Sequence, residues 1–203
     1  MRFIIACVSL VLLTACVAPL RMTVYEPTCP KGAAISCMQQ DDKLIIELSG
    51  GAKVNVEANL LDVRQKANKT ISMCISVQLE RGSTFQFLSS SIVLESSTWS
   101  APRAVDIRKI TGPPGPRSYA AGEKINGVVS DAEMIQDALQ SPNALLFWLW
   151  FESTHNTLCE TSIPIVTEFT LRMPDVLVNG QKTHIPPVYF TREKKWDVRG
   201  LCC

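Results

Sequence analysis

The chain has two histidines, His155 and His184, so imidazole acid–base chemistry must start from one of them. His155 lies in Ser153-Thr154-His155-Asn156-Thr157, polar on both sides and directly after an aromatic run. With a carboxylate such as Glu152 or Glu160 it forms the one candidate hydrolytic pair. His184 stands beside Pro186-Pro187, where a surface or packing role is expected. Acyl transfer on an α/β scaffold would show a Gly-x-Ser-x-Gly elbow, and the sequence has none. Zinc sites draw on Cys and His pairs spaced two to five residues apart. His155 precedes Cys159 by such a step, but no second pair joins it. A glycine-rich phosphate loop followed by a helix is lacking too. Neither a cofactor nor a metal is therefore expected, and catalytic residues are assigned to none of the positions.

The strongest signal is at the start of the chain. Arg2 precedes an apolar run from Phe3 to Leu13, and small residues follow at Thr14 and Ala15, before Cys16. A charged start, a short apolar stretch and a small-residue cleavage site define a secretory signal. A permanent span would need about 20 apolar residues. Leu13-Thr14-Ala15-Cys16 resembles the lipobox of bacterial lipoproteins. That resemblance implies attachment of a diacylglyceryl group to Cys16, cleavage before it and often acylation of its new amino group, with palmitate-type chains. Each buried methylene contributes about 0.8 kcal/mol, so two or three chains make a stable anchor. Val17, rather than an acid, after the cysteine is similar to outer-membrane-sorted members of that family. The expected location is thus a bacterial membrane, on the outer membrane and facing the periplasm.

Cysteine usage agrees with export. Of eight cysteines, Cys7 leaves with the signal and Cys16 takes the lipid. Cys29, Cys37, Cys74, Cys159, Cys202 and Cys203 remain as disulfide candidates, an even set in an oxidising compartment. Cys29 and Cys37 are close enough to staple a loop across Pro30 and Gly32. Cys74 and Cys159 fall in or beside strand-like segments and could join two sheets. Cys202 and Cys203 should bond elsewhere, since a ring between neighbours strains disulfide geometry.

Removing residues 1–15 leaves 188 of the 203 residues, enough for one domain with its own core. The removed segment holds one Arg, Arg2, and no acid, which brings Lys plus Arg level with the 19 Asp plus Glu. No basic excess points to nucleic acid. The cluster Arg192, Lys194, Lys195 and Arg199 is interleaved with Glu193 and Asp197 and reads as a solvated face.

These groups must be positioned mostly by strands. Lys43–Leu48 and Lys53–Glu57 alternate around Ser49-Gly50-Gly51 and read as a hairpin. Ile71, Met73, Ile75, Val77 and Leu79 alternate with polar residues over the best strand pattern in the chain. Phe85 and Phe87, then Ile92 and Leu94, mark two shorter strands. Residues 111–127 read as a proline-rich loop. Ser130 and Glu133 have capping-box spacing before Met134, Ile135, Ala138 and Leu139, which predicts one short helix ending at Ser141-Pro142. Ala144–Phe151 reads as a strand buried on both faces. Ile163–Leu171 is one more strand, and Asn179-Gly180 marks a tight hairpin turn. Thr183–Phe190, with Pro186-Pro187, reads as an edge strand.

The expected organisation is a signal peptide over 1–15, a lipidated tether and Cys-stapled lead over 16–40, and a β-domain over 41–203. Short strands, frequent turns and one helix predict an all-β, immunoglobulin-like β-sandwich with one short helix. The expected function is a non-enzymatic binding or assembly module of the bacterial cell envelope, held by its lipid and contacting a protein partner. Pro113, Pro114 and Pro116 of the loop, and Pro186 and Pro187 near the edge strand, are its candidate contacts. The alternative is an envelope hydrolase built on His155.

Overall fold

The computed structural model describes residues 20–30, 32, 35–40, 42–60, 70–112, 117–127, 144–151 and 160–197. Within them the chain is all β. Eight strands close into a barrel, and further strands extend from its wall. This corrects the expected immunoglobulin-like sandwich. The helix anticipated over 130–139 lies outside the described residues.

The barrel runs through β4 (Ala52–Leu60), β5 (Thr70–Glu80), β11 (Ala144–Phe151), β8 (Arg103–Gly112), β7 (Ser91–Glu95), β13 (Glu168–Arg172), β16 (Val188–Asp197) and β1 (Leu20–Thr28). Every pairing around it is antiparallel. Closure is made by β1. It pairs with β16 along its whole length and meets β4 at Val24↔Asn59 and Tyr25↔Ala58. Below that point the same edge of β4 is held by β3 (Lys43–Leu48), which forms the expected hairpin with it and carries β2 (Ser36–Gln40) outward. A sandwich and a barrel both need strands with one buried face. The alternation is therefore identical in the two folds, and the long-range β1 pairings decide between them.

Burial alternates along the wall. Val54, Val56, Met73, Ile75, Val77, Leu145, Phe147, Leu149, Ile92, Leu94, Phe169 and Phe190 point inward and are buried. Tyr25 sits edge-on to Phe169 at 5.2 Å, and Phe169 stacks on Phe190 at 4.6 Å. These inward-facing side chains form the core of the barrel. Charged residues occupy the other face, with Arg103, Asp106, Arg108 and Glu168 exposed. This polarity is the reverse of a membrane-spanning barrel, whose outer band is apolar.

The aromatic run differs from its expected form. In β11, Phe147 and Phe151 are buried inside, while Trp148 and Trp150 are half-buried on the outer face. Trp150 Nε1 donates to Thr111 Oγ1 at 2.8 Å, and the Lys109 ammonium lies 4.5 Å from its ring centre. An amphipathic wall strand needs one apolar face only, and the two tryptophans supply a polar N–H to the other.

Other segments also divide more finely than their patterns suggested. The Ile163–Leu171 stretch forms two strands, β12 (Glu160–Pro164) and β13, broken at Ile165-Val166-Thr167. The 111–127 loop contains the end of β8, then β9 (Arg117–Tyr119) and β10 (Ile125–Asn126). A second, four-stranded sheet has the order β10, β6 (Thr84–Phe87), β14 (Val176–Val178), β15 (Gln181–Thr183). Its Phe85, Phe87, Val176 and Val178 join the same core. Asn179 Nδ2 and Ser83 Oγ both donate to the Gly50 carbonyl, at 3.0 and 3.2 Å, and dock this sheet on the β3–β4 turn.

Candidate functional site

The described inward-facing side chains are apolar and packed into one core, and the polar groups that could recognise a ligand stand on the outer surface. A groove of about 520 Å³ runs between the Cys29–Cys37 loop and the segment from β15 to Pro187. Pro30, Gly32 and Ile35 form one wall, Gln181 to His184 with Pro186 and Pro187 the other, and Ser49 lies between them. Ser49 Oγ and Thr183 Oγ1 are 3.4 Å apart across its base. The volume falls within the ordinary range for ligand sites.

Each wall has a local cause. The disulfide Cys29–Cys37 holds the first loop, as its spacing suggested. The second wall begins with the Asn179-Gly180 turn, where both residues have positive φ, 53° and 80°. That is the type I′ geometry favoured by Asn-Gly. It sets the pairs Val178↔Gln181, Leu177↔Lys182 and Val176↔Thr183. Continuing this register places Asp175 opposite His184, on the same face as Lys182.

Those three residues form the most ordered polar group beside the groove. His184 Nδ1 lies 2.7 Å from Asp175 Oδ1, and Lys182 Nζ lies 2.8 Å from Asp175 Oδ2. The Lys182 hydrogen bond first, and His184 second, hold the Asp175 carboxyl below the usual carboxylate range. An ionised Asp175 accepts the Nδ1 proton of His184 and orients the ring, leaving Nε2 without a hydrogen-bond partner among the described residues. Asp175 is the ring's one hydrogen-bond partner among the described residues. The His184 side chain is 74% exposed. A base so well solvated, with no hydroxyl bonded to it, is better suited to recognition than to nucleophile activation.

A second depression of about 270 Å³ lies among Ser96, Glu168, Tyr189 and Thr191. Ser96 Oγ donates to the Glu168 carbonyl at 2.7 Å, and Ser97 Oγ to Glu168 Oε1 at 3.2 Å. Two of its hydroxyls are thus already engaged with Glu168. The larger groove borders a strand edge and is the better candidate.

A carboxylate pair sits elsewhere on the outer wall, where Glu26 of β1 meets Glu193 of β16. Gln39 Nε2 donates to Glu26 Oε1 at 2.7 Å, and Lys195 Nζ lies 3.8 Å from the same oxygen. The Gln39 bond, above all, draws Glu26 down, whereas its hydrogen bond and charge interaction with Glu26 push Glu193 up. Each acid shifts the titration of the other. They come from opposite ends of the chain, and no local pattern announces them.

Of the contacts expected from sequence, Pro186 is buried and Pro187 half-buried along the groove. Pro113, Pro114 and Pro116 lie outside the described residues, as do Cys16, Glu152, His155, Cys159, Cys202 and Cys203. Glu160 opens β12. Cys74 is disulfide-bonded, and its partner lies outside the described residues. The expected edge over 183–190 is corrected. Val188–Asp197 is an interior strand paired on both sides, with β1 and β13. The edge is β15, which pairs with β14 alone. The proline pair ends the edge before the chain enters the barrel, because proline has no N–H for a ladder.

No protein family, curated protein or solved structure matches this chain.

Proposed function

We infer that the chain is a lipid-anchored, non-enzymatic binding or assembly module of the bacterial cell envelope, tethered through Cys16 and contacting a protein partner. The observation that carries this reading is the groove between the stapled loop and β15. The groove's walls are stiffened by a disulfide and a proline pair, which lowers the ordering cost of binding. The Cys29–Cys37 bond supports an oxidising compartment, and the lipobox-like Leu13-Thr14-Ala15-Cys16 supports the anchor. An accessory subunit of an envelope machine and an inhibitor of an incoming toxin both belong to this class. The outer membrane, periplasmic side, is the expected address.

The test is radiolabelled palmitate incorporation, followed by in-cell crosslinking and affinity capture from membranes. Three chains are compared: the native chain, Cys16→Ser and Gln181→Arg. Label on the native chain but not on Cys16→Ser supports the anchor. One specific protein captured by the native chain and lost with Gln181→Arg supports the groove as the contact. Palmitate label that persists in Cys16→Ser would refute the anchor. Equal capture by the native chain and Gln181→Arg would refute the groove.

A further inference from the structure

We propose that the groove takes an extended, acidic polypeptide segment, added as a strand to the edge of β15 with its carboxylate against Lys182 and His184. This rests on the reading of the groove as the contact surface, and names what fills it.

The first support is the ladder. The type I′ turn makes Val178↔Gln181 a hydrogen-bonded pair, so Leu177↔Lys182 is the next, non-hydrogen-bonded pair. The Lys182 N–H and C=O therefore point away from β14, toward the groove. An incoming extended segment can exchange two backbone hydrogen bonds with that one residue. Pro186 and Pro187 close the edge, which restricts the added strand to a few residues.

The second support is charge. Lys182 and His184 are the ionisable side chains among the described residues lining the groove, and both are basic. Each is held by one oxygen of Asp175, whose charge offsets that of Lys182; the Lys182 side chain is 64% exposed and keeps further N–H donors for an incoming carboxylate. Ile35, Pro30 and Pro187 supply apolar contact on either side. A basic residue beside an apolar slot and a strand edge matches an extended segment that alternates apolar and acidic side chains.

The experiment uses the full chain in lipid nanodiscs, with empty nanodiscs as control, to select from random eight-residue linear peptides displayed on phage. Selected peptides should be enriched in Asp or Glu. Their affinity should fall about tenfold or more in Lys182→Gln, the size expected for losing a charged hydrogen bond. Binding should vanish in Ile35→Arg and in Gln181→Arg, the latter at an exposed site that leaves the core intact. Peptides that need the groove but carry no acid, and bind Lys182→Gln equally well, would overturn the acidic-segment inference and leave the groove as contact surface. Failure to select any peptide, or binding indifferent to both arginine substitutions, would overturn the two together. A chain that self-associates in sedimentation, and stops doing so in Gln181→Arg, would make a second copy the occupant and refute the acidic peptide.

Discussion

The Tyr25 hydroxyl donates to the Val166 carbonyl at 2.6 Å and accepts from the Val166 N–H at 3.3 Å. One buried phenol thus satisfies both backbone groups of a residue 141 positions away. It ties the barrel-closing strand to the break between β12 and β13. Burial raises the Tyr25 pKa, against the lowering effects of the Val166 bond and of Arg192, so the phenol stays neutral and can donate.

Tyr25→Phe keeps the ring on Phe169 and strands the two Val166 groups. Leaving buried polar groups unpaired costs about 1–3 kcal/mol. For a chain of this size each kcal/mol lowers Tm by about 2–4 °C. Urea unfolding should show a lower midpoint with an unchanged slope. A midpoint equal to that of the native chain would mean that Val166 finds other partners.

Gly112 is needed for space. A Cβ there would overlap the ring of Phe147 at Cδ1. Gly112→Ala should cost about 1–3 kcal/mol, the usual penalty for overpacking a core. Combined with Phe147→Leu it should cost less than the sum of the two single changes, because the shortened side chain vacates the contested space. Strict additivity in thermal unfolding would contradict this account.

The stapled loop closes across a separation of eight residues. Replacing Cys29 and Cys37 by Ser should destabilise the protein by about 2–3 kcal/mol, mostly by restoring freedom to the unfolded chain. Reduction of the native protein with dithiothreitol, which also opens the disulfide of Cys74, should cost at least as much. A midpoint unmoved by both treatments would exclude a stabilising role for the bond.

Asp175 and Glu193 predict opposite slopes of stability against pH. Asp175 is held low by Lys182 and then His184. Its contribution is present above the ordinary Asp range and is lost as pH falls through its lowered folded value. The stability gap between native and Asp175→Asn should therefore be open at pH 7 and close in acid. Glu193 is held high by Glu26. Its contribution is full below the ordinary Glu range and is lost as pH rises through its raised folded value. Glu193→Gln cannot ionise and should flatten that step. Denaturant midpoints from pH 3 to 7 measure both, and parallel curves for all three proteins would refute both assignments.

Much of the wall was legible in the residues themselves. The alternation over Ile71–Leu79, the hairpin around Ser49-Gly50-Gly51 and the turn at Asn179-Gly180 are local features, set by neighbours a few positions apart. The Asp175–His184 pair was legible too: extending the hairpin register by one step past Val176↔Thr183 finds it. Reading Thr183–Phe190 as one strand hid this, because it placed His184 within a ladder that the proline pair ends. The stapled loop likewise followed from short spacing.

Closure, the Glu26–Glu193 pair and the groove were decided by tertiary structure. An alternating strand records that one of its faces is buried, and that record is the same in a sandwich and in a barrel. Which strand lies beside it depends on contacts such as Tyr25 with Val166 and β1 with β16, between residues far apart in the chain. Short-range patterns carry no trace of such pairings, because their energy is gained only once the intervening chain has folded between them.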